Sequence, residues 1–112
     1  MSILDSDKGP SGTATLTQMV TSVAISTVLN TSHSIVLATA GAGGITITLP
    51  TAVGISGRQY IVVKVDAAAG GVTIEADGTE TIDGSLTYLL ANQWQYAAFY
   101  SDGANWIIGA NN

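Results

Sequence analysis

Apolar and polar positions alternate with a period of two in short runs along most of the chain, which is the signature of half-buried strands. Ile45, Ile47 and Leu49 alternate with Thr46 and Thr48 until Pro50 ends the run. Leu86, Tyr88 and Leu90 alternate in the same way. Residues 34–39 form a short apolar strand, 60–65 (YIVVKV) a stronger and more buried one, and 72–76 another that begins after Gly70-Gly71. Residues 94–100 put Trp94, Tyr96 and Tyr100 on one parity and Phe99 on the other, and 106–108 return antiparallel to them. Residues 13–29 are the ambiguous stretch. Leu16, Met19, Val20 and Val23 match helical spacing, but the density of Thr and Val favours two extended pieces, about 13–17 and 23–28.

Turn chemistry punctuates these runs. Asp77-Gly78, Asp83-Gly84 and Asp102-Gly103 are Asp-Gly pairs, in which Gly tolerates positive φ and Asp can bond the backbone that follows it. The first two pairs make residues 72–85 a strand followed by a double corner, which sets strand register. Gly43-Gly44-Ile45-Thr46-Ile47 is echoed 27 residues later by Gly70-Gly71-Val72-Thr73-Ile74, but one echo falls short of the three repeats a solenoid needs. Eight or nine short strands with turns every 8–12 residues predict an all-β fold, a single antiparallel β-sandwich or jelly-roll-like domain over residues 13–112. Residues 1–12 are polar and broken by Gly9, Pro10 and Gly12. They read as a flexible arm, or as a latch in which Ile3 and Leu4 dock on a neighbouring subunit.

Composition changes the picture in one respect. Of 112 residues, 52 are Ala, Gly, Ser or Thr and only 10% are charged, against about 25% in an ordinary soluble domain. A surface so poor in charge suits a protein covered by copies of itself or by a partner. Three basic residues (Lys8, Arg58, Lys64) and a net charge of −5 exclude a phosphate-tracking basic face, and with it nucleic acid. The absence of cysteine removes disulfides and thiolate metal sites. The N-terminal residues lack the basic and apolar regions of a signal peptide, and no run is long enough for a membrane helix.

Each candidate for chemistry has a structural competitor. Gly41-x-Gly43-Gly44 lacks the Lys-Ser/Thr ending of a phosphate loop and precedes a strand, so it reads as a turn. Gly54-Ile55-Ser56-Gly57 is one residue short of a nucleophile elbow and has no helix after it. His33, the only histidine, sits between serines at a turn, where a triad would also need a buried carboxylate. Glu75, Asp77, Glu80 and Asp83 fall within nine positions. They could supply a glycosidase carboxylate pair or part of a Ca²⁺ site, but the D-x-D-x-D-G spacing and a sugar-clamping set are absent. The favoured reading has Asp77 and Asp83 bracing turns and Glu75 and Glu80 facing water. Trp94, Tyr96, Tyr100 and Trp106 are assigned to the core or to a seam between subunits, ahead of a sugar platform. No catalytic residue, metal or cofactor is implied.

An ordered series remains: Ile45-Thr-Ile-Thr-Leu-Pro50, Gly57-x-x-Tyr60, Val63-Lys64, Val72-Thr-Ile74, Thr81-Ile82-Asp83-Gly84 and Ser101-Asp-Gly-Ala-Asn-Trp106. It resembles the small β modules of bacteriophage virion surface proteins, namely tail fibres, tail spikes, and head-fibre or capsid-decoration proteins, over about residues 24–108. The resemblance implies a non-enzymatic homotrimer on the virion exterior, assembled in the host cytoplasm. Its partners would be further copies of itself and a capsid protein or fibre shaft. If 112 residues is the whole gene product, capsid decoration or a head fibre fits better than a tail fibre, with residues 1–12, Ile3 and Leu4 among them, attaching to the capsid. A tail-fibre or tail-spike module recognising a host-surface glycan or protein is the alternative.

Overall fold

The computed structural model describes residues 19–112, which form nine β-strands and no helix. In chain order they are β1 (Val20–Val23), β2 (Thr27–Val28), β3 (Ile35–Ala38), β4 (Ile45–Thr48), β5 (Gln59–Lys64), β6 (Val72–Glu75), β7 (Thr87–Leu90), β8 (Tyr96–Ser101) and β9 (Trp106–Asn111). The strand expected at 13–17 and the arm 1–12, with Ile3 and Leu4, lie outside the described residues. The single piece expected at 23–28 is two elements. Val23 ends β1, residues 24–26 bend, and Thr27 opens β2 in a different sheet.

The strands make a five-stranded sheet, ordered β9-β8-β5-β3-β1, and a four-stranded sheet, ordered β2-β4-β6-β7. Their inner faces share one core: Val36, Val62 and Phe99 from the first meet Ile47, Val72, Ile74 and Leu90 from the second. The expected antiparallel architecture needs correction. Four of the seven strand pairings are parallel: β1 with β3, β3 with β5, β2 with β4, and β4 with β6. From β1 to β6 the chain crosses to the other sheet after every strand, so successive circuits stack as three coils of a short β-solenoid. Antiparallel pairing begins only afterwards, where β7 folds back on β6 and β8 and β9 continue from β5. Coils and hairpins share short strands and frequent turns, which is why turn density alone suggested hairpins.

The glycine echo is the coil itself. Ile45 pairs with Val72, and Ile47 with Ile74, 27 residues apart. At the corners before these strands two glycine turns lie one upon the other. Gly70 donates its N–H to the Gly41 carbonyl at 3.0 Å, and Ile45 donates to Gly71 at 3.1 Å. A Cβ on Gly70 would lie 2.2 Å from the Gly44 nitrogen and 2.3 Å from the Gly41 oxygen, so no side chain fits between the layers.

An ion pair between a buried lysine and a half-buried aspartate locks the same corner. Lys64 is 0% exposed at the inner end of β5. Its Nζ donates to the Asp66 carbonyl (2.7 Å), to Asp66 Oδ1 (3.0 Å) and to the Ala68 carbonyl (3.0 Å), which uses all three ammonium protons. Asp66 in turn accepts from the N–H groups of Ala40 (3.1 Å) and Gly41 (2.9 Å). One carboxylate thus ties two successive corners together.

Candidate functional site

The solenoid leaves two broad outer sheet faces, and they differ in chemistry. On the four-stranded sheet, register places Thr46, Thr73 and Leu89 in one outward row and Val28, Thr48, Glu75 and Thr87 in the next. This face offers hydroxyls and a carboxylate to water. A shallow groove of about 230 Å³ opens on it, lined by Ser26, Thr46, Thr73, Leu89 and the backbone of Gly43, Gly44 and Gly71.

Among the described residues, the outer face of the five-stranded sheet has no charged one. One row runs Val20–Ile35–Ile61–Ala98–Ala110 across all five strands, and the next runs Ser22–Leu37–Val63–Tyr96. Gln59, Tyr100 and Ile107 complete it. Ile35, Leu37, Ile61 and Val63 are half-buried by their neighbours in the sheet, and Ile107 is 45% exposed. The two polar groups known to be engaged there satisfy each other, since Gln59 Nε2 donates to Tyr100 Oη at 2.7 Å. Tyr100 also covers the bulge in β9, where a Cβ on Gly109 would sit 2.2 Å from its ring. The sequence signal for this face lies in Ile35–Ala38 and in Tyr60 through Val63, which are apolar on both parities.

The four aromatics assigned to core or seam separate into three environments. Trp106 is core, 1% exposed, with Nε1 donating to the Pro50 carbonyl at 3.1 Å and its ring edge-on to Tyr60. Tyr96 and Tyr100 stand half-buried on the outer face just described. Trp94 belongs to neither core nor sheet: it is 60% exposed in the turn before β8, at φ +67°. Positive φ is unfavourable for a bulky side chain and persists only where surroundings impose it. Here Trp94 donates its N–H to the Lys64 carbonyl at 2.7 Å and accepts from Asn112 Nδ2 at 3.2 Å, while Gln95 Oε1 caps the N–H groups of Ala91 and Asn92.

The acidic residues of the double corner work on the backbone. Asp83 and Gly84 are the central residues of a two-residue turn with φ of 48° and 86°, closed by reciprocal hydrogen bonds between Ile82 and Ser85. Asp83 Oδ1 also accepts from the Ile108 N–H at 3.0 Å, which pins the corner to β9. Asp77 begins the turn that Glu80 closes, with Gly78 at φ +54°. Glu75 is exposed and accepts from Thr48 at 3.3 Å. Glu80 does not face water as expected. It is half-buried and holds the neighbouring loop through the Ala52 N–H (2.9 Å) and the Thr51 hydroxyl.

Asp102 and Gly103 open the loop between β8 and β9. Hydrogen bonds from the backbone N–H groups of Asn105 and Ala104 hold the Asp102 carboxyl below the usual carboxylate range. His33 braces a turn as well, its Nδ1 accepting from the Asn30 N–H at 3.0 Å. Nearby, Arg58 donates to the His33 carbonyl and stacks over the Tyr60 ring at 4.3 Å. Burial raises the Tyr60 phenol pKa, with Arg58 acting in the opposite sense, and its hydroxyl donates to the Asn30 carbonyl. Among the described residues no three His, Cys, Asp or Glu side chains gather closely enough to hold a metal ion.

No protein-family model matches this chain, and the search of curated proteins found no match either.

Proposed function

We propose that this chain is a non-catalytic structural protein of a bacteriophage virion, a homotrimer that decorates the capsid surface as a decoration or head-fibre protein. The observation that carries the reading is the contrast between the two outer sheet faces, one rich in threonine and one without charge. A subunit that is to be covered on one side and wetted on the other has this form. The acidic side chains support the non-catalytic part, because Asp66, Glu80, Asp83 and Asp102 are engaged in holding corners. The resemblance of the ordered motifs to phage surface modules supports the location, with residues 1–12 making the capsid contact.

A second reading, a tail-fibre or tail-spike module that recognises a host-surface glycan or protein, is favoured by Trp94. An indole held outward in a strained, over-determined turn can stack on a sugar or fill a protein pocket. One experiment separates the two: co-sedimentation of the purified protein with expanded capsids and, in parallel, with host cells. The decoration reading expects a trimer by light scattering that sediments with capsids, and loss of that binding when residues 1–12 are deleted. Binding to cells alone, abolished by Trp94→Ala, would replace it with the fibre reading. A monomer that binds neither would overturn both.

A further inference from the structure

We infer that copies of this chain assemble through the outer face of the five-stranded sheet, with Leu37 and Val63 near its centre. The inference rests on the proposal that the protein works as a homo-oligomer and adds which surface joins the copies.

Two arguments select a second copy as the occupant, and area sets how tightly it is held. Parallel strands that are apolar on both parities occur in sheets covered on both sides. β3 and β5 are such strands, and only their inner parity is covered by the four-stranded sheet. Charge gives the second argument. The six described acidic residues lie in turns or, for Glu75, on the other sheet, while Lys64 is buried and Arg58 is engaged with His33. A partner with an ordinary charged surface would leave ions desolvated and unpaired against this face. The same face of another copy brings none, and its Gln59 and Tyr100 are already hydrogen-bonded to each other.

Area sets the strength of the contact. Five strands about 4.8 Å apart and roughly 13–20 Å long span on the order of 300–500 Å² before side-chain relief. A standard interface buries about 800 Å² per partner. The face alone is therefore smaller than a standard interface, and an oligomer joined through it should dissociate on dilution.

The test substitutes outward residues whose side chains do not enter the monomer core. Leu37→Asp and Val63→Asp are each expected to raise the concentration at which the oligomer dissociates by at least about 100-fold, because a carboxylate would be buried without a counter-charge. Circular dichroism should keep its β spectrum, and Thr73→Asp, on the threonine-rich face, should leave the oligomer intact. Because the chain has no cysteine, Leu37→Cys gives a second readout that needs no destabilising charge. Mild oxidation should cross-link it between subunits, and Thr73→Cys should remain uncross-linked. An oligomeric wild type that is indifferent to all the Leu37 and Val63 changes would overturn the assignment of the face and leave the homo-oligomer proposal standing. A wild type that is monomeric at every accessible concentration would overturn that proposal too.

Discussion

Asp66 shows how much of this fold depends on single side chains at its corners. Hydrogen bonds from the Gly41 and Ala40 N–H groups, together with Lys64, lower its pKa from 3.8 to about 2. A carboxyl group whose pKa is lower in the folded than in the unfolded chain adds stability above its unfolded value, and that stability is lost as pH falls through the folded one. Thermal melts between pH 7 and pH 2 should therefore show a loss concentrated below about pH 4. Asp66→Asn should melt lower at neutral pH and show a flatter dependence over that acid range. Parallel pH profiles for the two proteins would mean that the carboxylate is not what holds the corners. That Lys64 shares a parity with Tyr60 and Val62 was legible along YIVVKV, but not that this parity faces inward, because Ile61 and Val63 on the other are equally apolar. Its partners were not legible, because Asp66 lies past the strand end and reaches Lys64 only through the turn that follows.

At the scale of elements, what is local in the sequence was readable and what is non-local was not. Asp83-Gly84 announced its turn through backbone chemistry confined to two residues. Gly84→Ala should destabilise the protein by about 1–3 kcal/mol in urea unfolding, because alanine at φ +86° is strained. Gly43→Ala is the control, as a Cβ there would meet nothing within 4 Å. Equal midpoints for the two variants would show that the corner does not set the register. The sheet to which each strand belongs is a different matter. Residues 45–49 and 72–76 looked like half-buried strands in isolation, yet only the 27-residue echo between them carried the information that they pair in parallel. A single echo is weak as a pattern, because coils of unequal length obscure the other repeats. Val20 meets Ile35 after 15 residues, whereas Ile35 meets Ile61 after 26.

For the molecule as a whole, stability should grade along the stack. Among the described residues β1 pairs only with β3 and β2 only with β4, while β5 is bonded on both sides, by β3 and β8. Stacked repeats behave as near-neighbour units, and terminal units open most easily. Amide hydrogen exchange should therefore be faster in β1 and β2 than in β5 by about an order of magnitude or more. Uniform protection would indicate a single cooperative block. The amphipathic division of the two outer faces belongs to this scale too. It could not be read until pairing fixed which side chains share a side, although the charge-poor composition had already suggested a surface that is covered.

The unequal coils have a consequence for how such a molecule can change. Ile35 and Ile61 stay aligned although more residues separate them than separate Val20 and Ile35, because the surplus lies in the corners and intervening loops. Insertions and deletions there alter the outline of the molecule without shifting a single row on either broad face. Adding a whole circuit would lengthen the stack by one inter-strand spacing of about 4.8 Å and extend both faces in register. Height and outline are therefore separable variables in this architecture: circuits set the one and corners the other.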